Sequence, residues 1–221
     1  MLLLVDLDNT LVDRRAAYKA WAVSRFGESE VPWLVEADRD GYQKREVLAA
    51  RIVSRYGGDE QVMLTELRAG MVANMAPDPE IAAVLTDAKA AGFVPFVVTN
   101  GTVAQQEAKL RRTGLDRLVA GWTISEGAGI AKPDRRIFEI AAASAGIPLS
   151  PARRDGPARR DGPVGWMVGD SAESDIGGGH GAGLRTAWVT LGREWPAGLD
   201  YRPEITGPTG AAALRAVIRE S

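Results

Sequence analysis

Two aspartates two positions apart, Asp6 and Asp8, stand directly after an apolar run, Leu2-Leu3-Leu4-Val5. Carboxylates crowded at the end of a buried segment repel one another and lose hydration, so they need a cation or a proton to compensate them. Asp-x-Asp alone occurs in metal-binding turns of several unrelated kinds. Three more clusters carry chemistry. Val97-Val98-Thr99-Asn100-Gly101 places a hydroxyl at the end of an apolar run, then a glycine that lets the backbone approach a ligand closely. That suits an anion such as phosphate, although the same residues also make an ordinary strand-to-helix turn. Ala131-Lys132-Pro133-Asp134 sets a lysine before a helix start, with Pro133 at the first helical position and the helix end adding partial positive charge. A lone lysine there also reads as a solvated surface residue. The carboxylates of Gly169-Asp170-Ser171-Ala172-Glu173-Ser174-Asp175 can hold a hard cation such as Mg²⁺, or serve only as an acidic helix start.

Composition narrows the remaining choices. The 221 residues carry 27 Lys+Arg against 29 Asp+Glu, a net charge of −2, so the strong basic field that favours nucleic acid is missing. With no cysteine, disulfides, thiolate metal sites and a cysteine nucleophile are excluded. A single histidine, His180, rules out a multi-histidine zinc site. The apolar run at the start is too short for a signal segment or a membrane span. The expectation is a cytoplasmic protein whose chemistry rests on carboxylates, hydroxyls, lysine or arginine and a hard metal.

Those groups need a scaffold. Short unbroken apolar runs at 2–5, 94–98, 166–168 and 186–189, and a weaker one at 122–124, suit strands covered on both faces. Each is followed by polar or Gly-rich residues and a helical pattern, the alternation of a parallel α/β sheet. Ile81, Val84, Leu85 and Ala88 mark one helix face that ends before Gly92; 103–112 reads as a helix closed by Gly114. Ile137, Ile140 and Ala141 mark another, closed by Gly146, and 211–219 a last one with Leu214, Val217 and Ile218 inward. Residues 14–76 break the rhythm. Tyr18, Trp21, Ala22, Arg25 and Phe26, then Leu48, Ile52 and Tyr56, then Leu64, Leu67, Met71 and Met75 recur at helical spacing with no strand-like alternation. This stretch reads as an all-helical insertion, with Pro77 and Pro79 marking the return to the core.

The four clusters, in this order and at these separations, resemble the haloacid dehalogenase-like hydrolase superfamily, and the resemblance covers nearly the whole chain. It implies a Rossmann-like core with a central parallel sheet (1–13 and 77–221) and a small all-helical cap (14–76). It further implies a phosphatase for a small phosphorylated metabolite. Asp6 would be the nucleophile that forms an aspartyl-phosphate, and Asp8 the acid and then the base. Mg²⁺ would sit on the Asp6 carboxylate, the Asp8 carbonyl and Asp170, with Asp175 supporting. Thr99, Asn100, Gly101 and Lys132 would receive the phosphoryl oxygens.

Within the family Asp8 discriminates most, because halide leaves without a proton and dehalogenases lack a second aspartate. A phosphomutase would use the same aspartates, and a phospho-aspartate switch or binding scaffold is the non-enzymatic alternative. Lys19 and Lys44 offer no recognisable context for Schiff-base chemistry. Trp33, Tyr42, Lys44 and Arg45 are candidates for substrate selection, Trp33 equally for cap core. Interior glycines at 177–179 and 181 argue for a short helix after the fourth cluster, and His180 reads as solvent-facing. A tandem repeat, Ala-Arg-Arg-Asp-Gly-Pro at 152–157 and 158–163, reads as a duplicated surface loop or as a grip on an anionic partner. A monomer or homodimer is expected, with no nucleic-acid or membrane partner.

Overall fold

The computed structural model describes residues 1–41, 43–149 and 165–220. The tandem repeat and Tyr42 lie outside them. Six strands form one parallel sheet: β1 (Leu2–Val5), β2 (Val94–Thr99), β3 (Trp122–Ile124), β4 (Trp166–Gly169), β5 (Arg185–Val189) and β6 (Ile205–Gly207), in the order β3-β2-β1-β4-β5-β6. All four residues of β1 are buried, as a central strand requires when both its faces are covered. The chain runs outward from β1 to β3, then crosses back to β4 and runs the other way. The strand order therefore reverses between β1 and β4, the point where open α/β sheets bind ligands. Register sets the site's level. Val5 pairs with Val97 on one side and Val168 on the other, so the residues after β1, β2 and β4 emerge together.

The helices of this unit are α5 (Pro79–Ala90), α6 (Val103–Thr113), α7 (Ser125–Ala128), α8 (Arg135–Ser144), α9 (Gly178–Gly181) and α10 (Gly210–Glu220). They follow α1 (Arg14–Phe26), α2 (Val31–Asp38), α3 (Arg45–Tyr56) and α4 (Glu60–Ala73) of the insertion. Ile137, Phe138, Ala141 and Ala142 of α8 pack on Leu2, Leu4, Phe96, Val98 and Met167. α5 and α10 pack together and against the sheet. Asp78 caps α5 by accepting from the Glu80 amide at 2.8 Å, with Pro79 at its first turn.

Several expectations need correction. Ile140 is exposed and Phe138 fills the inward position, because the buried stripe runs through Ile137, Phe138, Ala141 and Ala142 and a turn of about 100° per residue points Ile140 away from it. Asp134, not Lys132, precedes that helix as its N-cap, accepting from the Arg136 amide at 2.9 Å. Arg25 lies on the exposed face of α1. The edge strand β6 and the one-turn α7 carry too few residues to show a period. The glycine-rich stretch begins as a wide turn, Ala172–Gly177, and closes as the one-turn α9. Two of its glycines allow close contact: a Cβ on Gly178 would lie 2.6 Å from the Phe138 ring, and one on Gly179 2.8 Å from the Met167 Cβ.

The chain divides into two compact units, Met1–Val12 with Pro77–Ser221, and Asp13–Ala76. The second is wholly helical. Tyr18, Trp21, Leu34, Leu48, Ile52, Leu67 and Met71 form its core, and the Tyr18 hydroxyl donates to the Leu34 carbonyl at 3.0 Å. Trp33 packs at the edge of this core, edge-on to Tyr56, with the Arg55 guanidinium over its ring. Arg45 donates to the buried Asp38, which Arg14 holds through both oxygens; Lys44 is exposed. No helix among the described residues is long and apolar enough to cross a membrane.

Candidate active site

Asp6 is the first residue beyond β1, tied to β4 by its amide, which donates to the Val168 carbonyl at 2.9 Å. Asp170 follows β4 directly, and Asp175 returns to it from the Ala172–Gly177 turn. A Cβ on Gly169 would sit 2.3 Å from the Asp175 carboxyl, so only glycine at the end of β4 admits that return. All three aspartates are buried, and one oxygen from each lies within 4.8 Å of the others. Among them sits Lys132. Its ammonium donates to Asp6 Oδ1 at 2.6 Å, Asp175 Oδ1 at 2.7 Å and the Val98 carbonyl at 2.8 Å. Asp175 Oδ2 accepts from the Ser171 amide at 2.9 Å.

The backbone of Lys132 is fixed by a reciprocal pair. Asn100 Oδ1 accepts from the Lys132 amide at 2.9 Å, and Asn100 Nδ2 donates to the Lys132 carbonyl at 3.0 Å. The Asn100 side chain thus positions the lysine, a role additional to the one expected of its backbone. Thr99, the last residue of β2, is buried. The Gly101 amide already donates to Ser125 Oγ at 2.9 Å, so it serves the β2–α6 turn. The Asp8 carboxyl stands apart from the acidic trio, on α6. Lys109 Nζ donates to its two oxygens at 2.6 and 2.7 Å, and Gln106 Nε2 to Oδ2 at 3.1 Å.

Burial pushes the Asp6 carboxyl well above the usual carboxylate range, against the pull of Lys132 and with Asp175 and Asp170 adding to the rise. Asp170 is raised to about 6, first by burial and then by Asp175, with Arg193 opposing. Lys132 goes the other way. Burial disfavours its charge, but Asp175 and Asp6 outweigh burial and raise it above the ordinary lysine value. One ammonium among three buried carboxylates leaves negative charge that a hard divalent cation would balance, and oxygen-only donors fit such an ion.

The raised Asp170 has a measurable consequence. Unfolded, it loses its proton near about pH 4; folded, it keeps it to about pH 6. Its contribution to stability is therefore present in acid and lost as pH rises through that window, by about 3 kcal/mol. In EDTA, urea melts of wild type and Asp170→Asn are expected to diverge in favour of the variant between about pH 4 and pH 6. A constant gap would count against this.

Gln106, Lys109 and Arg193 were not anticipated from the sequence. Arg193 Nη2 donates to the Asp170 carbonyl at 2.6 Å and to its Oδ2 at 3.0 Å, while Trp188 Nε1 donates to the same carbonyl at 2.9 Å. The signal for the first two was present. The inward stripe of α6 is Gln106, Lys109, Leu110 and Thr113, at i, i+3, i+4 and i+7, and polar residues on a core-facing stripe ask for partners. His180 is exposed and stacks on Tyr201.

Three carboxylates and a buried lysine at the strand ends of a parallel sheet make a site suited to a hard cation and an anionic group. The family model "haloacid dehalogenase-like hydrolase" matches residues 1–183, and the chain belongs to that family. It is 42% identical over 104 residues to the pyrimidine 5′-nucleotidase YjjG of Escherichia coli, covering 47% of this chain and 41% of that one. It is 33% identical over 114 residues to a phosphoserine phosphatase of Thermus thermophilus, covering 52% and 41%. These alignments span about two-fifths of the length of either relative. The fold matches the magnesium-bound HAD-hydrolase YfnB of Bacillus subtilis, with a TM-score of 0.70 at 22% identity over 99% of this chain and 97% of that one. It also matches the L-2-haloacid dehalogenase of Xanthobacter autotrophicus, with a TM-score of 0.73 at 16% identity over 98% and 97%.

Proposed function

We propose that the protein is a Mg²⁺-dependent phosphatase that hydrolyses a small phosphorylated metabolite through an aspartyl-phosphate on Asp6. The observation that carries this reading is the convergence of Asp6, Asp170 and Asp175 around Lys132, with a second aspartate two residues beyond the first. Asp6, the Asp8 carbonyl and Asp170 would hold the metal, with Asp175 in support. When bound, Mg²⁺ supplies the positive charge that lets Asp6 ionise and offsets the charge of the phosphate. The Asp6 carboxylate attacks phosphorus, forming one P–O bond as the bond to the leaving oxygen breaks. Asp8 gives that oxygen its proton. It then takes a proton from the water that attacks the aspartyl-phosphate, which restores Asp6 and releases inorganic phosphate. Lys132, the Thr99 hydroxyl and the Asn100 amide stabilise the charge on the phosphoryl oxygens. The helical stretch 14–76 takes the part of the cap, and 1–13 with 77–221 that of the catalytic core.

The curated relatives act, by their names, on pyrimidine nucleotides and phosphoserine, so the substrate panel begins with nucleoside 5′-monophosphates, phosphoserine and small sugar phosphates. With Mg²⁺ present, phosphate release from members of this panel is the expected result, and EDTA is expected to abolish it. No release across the panel overturns the reading; turnover that survives chelation overturns its metal.

A further inference from the structure

We propose that Lys109, together with Gln106, is the positioning device that holds the Asp8 carboxyl for proton transfer to the leaving oxygen. The proposal rests on the phosphatase reading above. Lys109 comes from the middle of α6, and only 4% of its side chain is exposed, against 24% for Asp8. Burying a lysine costs hydration and several rotatable bonds, and an apolar residue on a core-facing stripe avoids both costs. Asp8, being partly exposed, retains access to water. Beyond its charge, the ammonium adds geometry. It bonds both carboxyl oxygens, at 2.6 and 2.7 Å, which fixes the rotation of the group. Gln106, one turn earlier, ties the same carboxyl to the phosphate-side strand end. Its Nε2 lies 3.1 Å from Asp8 Oδ2, 2.7 Å from Thr99 Oγ1 and 3.2 Å from the Asn100 carbonyl. One helix face therefore links the residue expected to move the proton with the residues expected to receive the phosphoryl group.

The test compares two substrates of wild type, Lys109→Met, Lys109→Arg and Gln106→Met. 4-Nitrophenyl phosphate has a leaving group that departs without a proton, whereas an alkyl phosphomonoester needs one. The measurement is kcat/KM, which covers the steps up to aspartyl-phosphate formation. Lys109→Met is expected to lose about 10- to 100-fold on the alkyl substrate and less than about threefold on the aryl one. Gln106→Met should follow in the same direction, and Lys109→Arg should recover most of the loss. On the aryl substrate, Asp8→Asn/Lys109→Met should be no slower than Asp8→Asn alone, because residues acting through one another are not additive. Equal losses on both substrates, or losses that multiply in the double variant, overturn the positioning role while leaving the phosphatase reading intact. A wild type inactive on both substrates overturns the two together. Should Lys109→Met fail to fold, Gln106→Met gives the same comparison.

Discussion

Asp6→Asn is expected to lower phosphate release by about 10⁴-fold or more, the scale on which enzymes lose activity when a nucleophile is removed. Asparagine keeps the shape of the side chain and can still accept from Lys132, yet its amide oxygen is too poor a nucleophile to open a phosphate ester. The same change is expected to stabilise the protein in EDTA at neutral pH. The wild-type carboxyl is pushed well above the ordinary range because burial, Asp175 and Asp170 all disfavour its charge. Asparagine has no charge to bury. Activity and stability should thus move in opposite directions, which phosphate release with Mg²⁺ and urea melts without it would record. Release that persists undiminished in the variant would falsify the nucleophile assignment.

Lys132→Met is expected to move both in the same direction. The ammonium is the donor shared by Asp6, Asp175 and the Val98 carbonyl, and it stays charged because those two carboxylates outweigh its burial. Methionine fills the stem but leaves buried acceptors without their cation, a loss of about 3–5 kcal/mol at neutral pH. As pH falls, the Asp6 carboxyl, whose proton affinity burial raises, gives up its charge before an ordinary carboxyl does, so its share of that penalty shrinks. Urea melts in EDTA at pH 7 and at pH 4 should therefore differ, with the variant's deficit smaller in acid. Phosphate release should fall by about 10²- to 10³-fold through lost charge stabilisation. A destabilisation equal at both pH values would mean that packing of the lysine stem, not its charge, matters.

Much of the fold was legible because the core strands advertise themselves. An unbroken apolar run such as Leu2–Val5 is costly to expose on either face, so it reads as a buried parallel strand without any knowledge of its neighbours. Helices with strong apolar stripes, such as α5 and the three longer helices of the insertion, were legible for the same reason. β6 was not: Ile205–Gly207 is three residues long at the sheet edge, and its membership depends on pairing with β5. The start of α8 was misplaced because Pro133 suits a first helical turn locally, while Asp134 takes the capping role in the folded chain.

Local chemistry and strand-end placement were written in the sequence itself: which carboxylates, which hydroxyl and which lysine emerge beside one another once the runs pair in parallel. The partners of those groups were decided only by tertiary structure. Lys132 meets Asp6 across 126 positions, and Lys109 meets Asp8 across 101. No local pattern records such a pairing, because it arises when separate strands and helices are brought to one end of the sheet. The raised proton affinity of Asp6 belongs to the same level. An aspartate's type is local, but its proton affinity is the sum of burial and of charges that only the folded chain sets around it.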